Sequence, residues 1–345
     1  MVRNGLMTDR KTLTVETLLK HLDALGGRIG GVRQAEDIEF VHQMRVASRR
    51  LRNAMDLFED VLPAGRYGKW LKQIKRVTKA LGAARDTDVQ IEAVRAFVDS
   101  LKEAGDRDHR PGAERLVLRL GQQRRQLQFN VLKTMDRLEA SGVLADMRNT
   151  LLQMKVEARI HPDVDPQGQV TDDARQVIAL RLEQMLAYEH YVHAPEHIAE
   201  LHAMRIAAKQ LRYTLESYGP VYPDKLKWQI KLVKRIQTML GDLHDCDVWI
   251  AYLPVFIEQE RKRHQKFFGH LRGFTKLARG VEHFRSDRQQ RREQLYEDFV
   301  KFWDEVVASG HWEALVRSVE KNDQDDMIIG RVDEQTEDER GIGGA

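Results

Sequence analysis

Two segments stand out for what their side chains could bind. His42-Gln43-Met44-Arg45-Val46-Ala47-Ser48-Arg49-Arg50-Leu51-Arg52 returns 160 residues later as His202-Ala203-Met204-Arg205-Ile206-Ala207-Ala208-Lys209-Gln210-Leu211-Arg212. On a helix turning about 100° per residue, Met44, Ala47, Leu51, Ala54, Met55 and Phe58 form one apolar stripe. His42, Arg45, Arg49 and Arg52 form a ridge beside that stripe, at steps of 3, 4 and 3. His202, Arg205, Lys209 and Arg212 make the same ridge in the second copy, with Tyr213 directly after it. Like charges at these spacings repel by a few tenths of a kcal/mol per pair in an isolated helix. An anion lying along the ridge removes the repulsion and gains charge-assisted hydrogen bonds. The alternative is a solvated basic face neutralised by acids on neighbouring helices.

More cations follow. Lys72, Arg76 and Lys79 continue a ridge begun at Lys69, and Lys231, Lys234 and Arg235 are their looser counterparts in the second copy. Arg124-Arg125 and Arg291-Arg292, each preceded by two glutamines, supply a third basic helix per copy, so Arg124 and Arg291 join the candidate set. No glycine-rich phosphate loop occurs. Extended ridges suit an extended polyanion. Single-stranded nucleic acid asks for aromatic stacking platforms, and on the basic faces only Tyr213 and Trp228 offer one. A base-free polyanion such as inorganic polyphosphate fits better, needing only cations and hydrogen-bond donors.

The elements that position these residues read as helices. Leu81-Gly82-Ala83-Ala84-Arg85-Asp86-Thr87-Asp88-Val89 returns as Leu240-Gly241-Asp242-Leu243-His244-Asp245-Cys246-Asp247-Val248, and Ala140-Ser141-Gly142 returns as Ala308-Ser309-Gly310. The chain is therefore two copies of one unit, about 10–150 and 170–318, joined by a linker with Pro162 and Pro166. Helices are predicted near 15–28, 40–61, 69–81, 89–103 and 113–138, with Gly82 and Pro254 among the breakers and Asp88 opening the fourth. No apolar–polar alternation marks a strand. The expected fold is all-α: two four-helix-bundle-like repeats related by pseudo-twofold symmetry, then an acidic, disordered tail over 319–345.

Composition agrees with this. The chain has 345 residues, 42% hydrophobic and 32% charged, with a formal charge of +3. From Glu320 onward nine acids face three bases, so the rest of the chain is mildly basic and only local clustering of its cations points to an anion. Cys246 is the single cysteine, which excludes an intrachain disulfide framework and a cysteine-based zinc site. No apolar run reaches the roughly 18 residues of a membrane span. The N-terminus lacks the apolar middle of a signal peptide. A cytoplasmic protein with no membrane partner is expected.

The paired motifs resemble the CHAD family, the conserved histidine α-helical domain, over nearly the whole chain outside its termini. The family implies paired helical bundles, a basic channel that binds long-chain inorganic polyphosphate, and association with polyphosphate granules. Carried over by position, the binding set is His42, Arg45, Arg49 and Arg52 with His202, Arg205, Lys209 and Arg212, joined by residues of the next helices. The Arg49-Arg50-Leu51-Arg52 run, in which Arg50 is a further candidate, becomes Lys209-Gln210-Leu211-Arg212 in the second copy. Lys209 then offers a point charge in place of an arginine fork. Many relatives also carry a triphosphate-processing CYTH domain, marked by a Glu-x-Glu-x-Lys strand, and no strand is predicted here.

Two other readings remain beside this one. His42 and His202 could serve a phosphoanhydride-processing enzyme, or the ridges a single-stranded nucleic acid. Neither a metal nor a cofactor is expected, and no catalysis. The Asp86/Asp88 and Asp245/Asp247 pairs read as helix caps and ion-pair partners rather than metal ligands.

Overall fold

The computed structural model describes residues 9–34, 37–101, 106–161 and 166–320, and among these every regular element is helical. Helix α1 spans Arg10–Gly26, α2 Ile29–Gln34, α3 Ile38–Leu57 and α4 Ala64–Ser100. Next come α5 (Arg110–Ala140), α6 (Val143–Ile160) and α7 (Pro166–Leu186). The chain closes with α8 (Ile198–Tyr218), α9 (Lys227–Phe268), α10 (Phe274–Ala308) and α11 (His311–Val319). Local chemistry sets several of these ends. Asp9 accepts from the Thr12 amide at 2.6 Å to cap α1, and Asp37 accepts from the Glu39 amide at 2.8 Å to cap α3. Gly142 and Gly310, at φ of 63° and 62°, start α6 and α11 from a left-handed backbone that a side chain would strain.

The predicted stripe of α3 is buried as expected: Met44, Ala47, Leu51, Ala54 and Met55 all face the core. That core joins α1, α3, the first half of α4, the second half of α5 and α6 around Trp70 and Ile74. A second core does the same for α7, α8, the first half of α9, the second half of α10 and α11 around Tyr218, Phe299 and Trp303. Phe58 crosses over to it and meets Tyr218 edge-on at 5.7 Å. A third core was not foreseen. It forms where the far ends of α4 and α9 meet the near ends of α5 and α10, around Phe97, Leu116, Trp249, Phe256 and Phe284. There α5 and α10 touch backbone to backbone. A Cβ on Gly112 would lie 2.3 Å from the Leu277 carbonyl, and one on Gly280 would lie 2.1 Å from that of His109.

Three helix boundaries differ from expectation. Helix α4 runs unbroken through Gly82, Asp86 and Asp88, so these aspartates cap nothing. Gly82 costs the helix about 1 kcal/mol relative to alanine but does not end it, because tertiary packing holds the rest. Likewise, α9 continues through Pro254. Proline removes one backbone donor there, and Leu253 and Phe256, both buried in the third core, hold the helix across the gap. Helix α7 starts at Pro166, which shortens the linker expected over 161–168; residues 162–165 and the acidic segment 321–345 lie outside the described residues.

Candidate anion-binding site

Helices α3 and α8 lie against each other, and their ridges converge. Lys209 records this best. Burial first, then the charges of Arg49, Arg205, Arg52 and Arg45, pull its ammonium down to about 8. Cations from both helices therefore share one trough. Arg49 is pulled down as well, by burial and by Arg45 and Arg212, with the Tyr213 hydroxyl opposing. Tyr213 sits between the ridges, with the Arg49 guanidinium 5.5 Å and that of Arg212 4.7 Å from its ring centre. Its hydroxyl is buried with no hydrogen-bond partner.

Acids reach this trough at its margins only. Asp86 takes Arg45 at 2.9 Å. Glu216 lies 3.3 Å from Arg50 and 3.6 Å from Arg212. Arg49, Arg52, Arg205 and Lys209 make no ion pair among the described residues. Arg50 thus stands apart from the other candidates: it lines a separate groove with Lys20, His21 and Glu216, and burial and Arg50 push His21 down to about 4.

At the histidine end the trough opens into a cavity of about 770 Å³. His42, Arg45, Arg205 and Arg291 line it, as expected of them. Burial makes the His202 imidazole less basic, aided by Arg205 and Lys209. The His202 and His244 rings meet at a tilt of 34° with centres 4.0 Å apart, and burial with His202 and Arg205 brings His244 down to about 4. The Nδ1 atoms of His42, His202 and His244 are buried without partners. Asp242 and Asp245 close one wall, both raised above the usual carboxylate range by burial. Gly82 and Gly241 lie against the two guanidinium groups: a Cβ there would stand 3.7 Å from Nε of Arg45 and 3.4 Å from Nε of Arg205, ordinary contact distances.

The remaining candidates are spread out. Lys72, Arg76 and Lys79 on α4 and Lys231, Lys234 and Arg235 on α9 are exposed, and none lines the cavity. Arg235 lies over the Phe302 ring at 3.8 Å. Arg124 departs from its expected place: Asp88 holds it at 2.7 Å and Gln128 at 2.9 Å, with little of it exposed. Its counterpart in space is Arg292, held by Asp247 at 2.5 Å, and not Arg291. The glutamine–arginine match was therefore one residue out of register, which is why one partner faces an acid and the other the cavity.

Arg85, Gln90, Asp242, His244, Asp245 and Arg288 also line the cavity, beyond the residues that the basic ridges predict. A signal existed. Residues at i and i+3 share a helix face, so Arg85 and His244 face the way Gly82 and Gly241 do, and Arg288 faces the way Arg291 does. Among the described residues no cluster of three histidine, cysteine or carboxylate side chains could hold a metal. No described helix is long and apolar enough to cross a membrane.

A family model described as the CHAD domain matches residues 16–254. The chain belongs to the CHAD domain family. The matched stretch contains both histidine helices and stops inside α9, short of the span the paired motifs suggested. Two solved structures share the fold. The crystal structure of the CHAD domain from the plant Ricinus communis superposes with a TM-score of 0.58 at 19% identity, covering 80% of this chain and 92% of that one. PptA from Streptomyces chartreusis superposes with a TM-score of 0.60 at 12% identity, covering 86% and 100% respectively. At these identities the likeness establishes an all-α CHAD fold. No curated protein matches the sequence.

Proposed function

We propose that this CHAD protein binds long-chain inorganic polyphosphate along the trough between α3 and α8, acts without catalysis, and so associates with polyphosphate granules. One observation carries the reading: Lys209 is half-buried among arginines from both helices and makes no ion pair with a described residue. A fold gains nothing from that repulsion. A chain of phosphates gains a partner for every cation, and its bound charge raises Lys209 back toward the ordinary lysine value. His42 and His202 stand at the cavity end as phosphate contacts, since a polyanion favours their charged forms. His244, Arg85, Arg288 and Arg291 extend the same surface into the cavity, where Asp242 and Asp245 limit how much anion it accepts.

The test is a calorimetric titration at two salt concentrations with long-chain polyphosphate, short phosphates and single-stranded RNA, followed by an assay for released phosphate. Binding of the long chain alone, weakening steeply with salt and without turnover, supports the proposal. Equal binding of RNA would transfer the trough to nucleic acid. Phosphate release abolished by His42→Ala would make the protein an enzyme.

A further inference from the structure

The far end of the α9–α10 hairpin carries a second basic surface, built differently from the trough. Phe267 is 82% exposed and Phe268 53%, side by side at the last turn of α9 with ring centres 4.7 Å apart. The turn beneath them is tied down. Gln265 Nε2 donates to the Gly269 carbonyl at 2.8 Å, the Arg272 amide donates to His270 Nδ1 at 3.2 Å, and Phe274 is tucked inside. The two rings are thus held outward by an ordered loop. Around them, residues 258–279 hold seven lysines and arginines against two glutamates. One of those, Glu260, is only 3% exposed and bonds Arg119 at 2.7 Å and Arg263 at 2.6 Å, with Arg115 at 3.8 Å. Three guanidinium groups share one carboxylate, so positive charge is left over. They line a groove of about 520 Å³ that Lys266, Phe267 and Phe268 complete.

We infer that this tip docks onto an anionic phospholipid surface, with Phe267 and Phe268 entering the acyl boundary and the groove taking a headgroup phosphate. The order of the chemistry argues for a bilayer. An exposed apolar pair and a surplus of cations share one tip, as an interface with an apolar interior and a negative surface requires. A soluble polyanion alone would leave both rings in water. Neither feature needs a spanning helix, so hydropathy gives no sign of this contact, and the sequence suggested no membrane partner.

Co-sedimentation with phosphatidylcholine vesicles, with and without phosphatidylglycerol, tests it on the full chain. Binding is expected only to the anionic vesicles. Phe267→Ser with Phe268→Ser should weaken it by about tenfold or more, and Lys262→Glu with Lys266→Glu by a similar factor. Both variants change exposed side chains and should keep wild-type helicity and wild-type polyphosphate affinity. Soluble glycerol phosphate should not release the protein. Failure of the wild type to sediment with anionic vesicles, an unaffected phenylalanine variant, release by glycerol phosphate, or capture of single-stranded RNA in place of vesicles would each overturn the inference.

Discussion

The trough between α3 and α8 and the ion pairs beside α9 use the same residue type to opposite ends. Arg292 is buried and held by Asp247 at 2.5 Å and by the Pro195 carbonyl at 2.7 Å, so it fastens α10 to α9 and to the segment before α8. Arg49 is also mostly buried, yet its neighbours are Arg45, Arg212 and an aromatic ring. Burial of a cation is therefore no guide to its role. The deciding quantity is whether a carboxylate faces it. A paired arginine holds the fold together and is unavailable to a ligand. An unpaired one strains the fold and is available.

The largest expected effect breaks the paired side of this contrast. Arg292→Ala leaves Asp247 buried alone, and should lower unfolding stability by about 3 kcal/mol in denaturant titrations. Polyphosphate affinity should stay within about twofold, since this side chain faces an acid rather than phosphate. A large loss of affinity at unchanged stability would reverse the two roles.

Next comes the trough, where Arg205 is unpaired among the described residues and Arg45 meets only the exposed Asp86 at its margin. Arg45→Glu combined with Arg205→Glu should weaken long-chain polyphosphate by more than about tenfold, or 1.4 kcal/mol, while circular dichroism stays helical. An unchanged isotherm would reject the ridges as the site.

Lys209→Met sharpens the comparison through opposite signs. Removing a charge that burial and four arginines disfavour should stabilise the fold by about 1 kcal/mol, yet weaken polyphosphate several-fold. A loss of both would mean that Lys209 is already compensated.

The smallest effect is the pH dependence of the same group. The folded protein releases the Lys209 proton near pH 8, whereas an unfolded lysine keeps it to about 10.5. The unfolded state thus binds more protons across that interval, so stability should rise as pH rises through it. Affinity should fall over the same range as the trough loses a charge. Below neutrality, His202 and His244 change binding in the other direction. Both are less basic than free imidazole, and a bound polyanion raises them, so affinity should grow as pH drops from about 7 toward 5. Calorimetry in buffers of different ionisation enthalpy would detect the proton uptake, and an affinity flat from pH 5 to 9 would contradict both limbs.

Much of this arrangement is legible in the residues. Spacing alone put Met44, Ala47 and Leu51 on the buried face of α3 and the cations beside them, because helical periodicity is a local property. The recurrence of the histidine segment marked the second ridge before any coordinates. Local reasoning failed at Gly82, Asp88 and Pro254, where breaker and capping residues sit inside long helices. Two of these residues have a tertiary explanation: Asp88 has a partner in Arg124, and the third core around Phe256 holds the helix across Pro254.

What the sequence by itself determined is the helical class, the duplicated motif and which helix faces are basic, since all three follow from residue type at a spacing of three or four. What only the tertiary structure decided is which of those cations remain uncompensated. Asp88 meets Arg124 across 36 residues, Asp247 meets Arg292 across 45, and Glu216 meets Arg50 from the other half of the chain. Compensation acts through space between groups a few ångströms apart, and sequence distance carries no record of it.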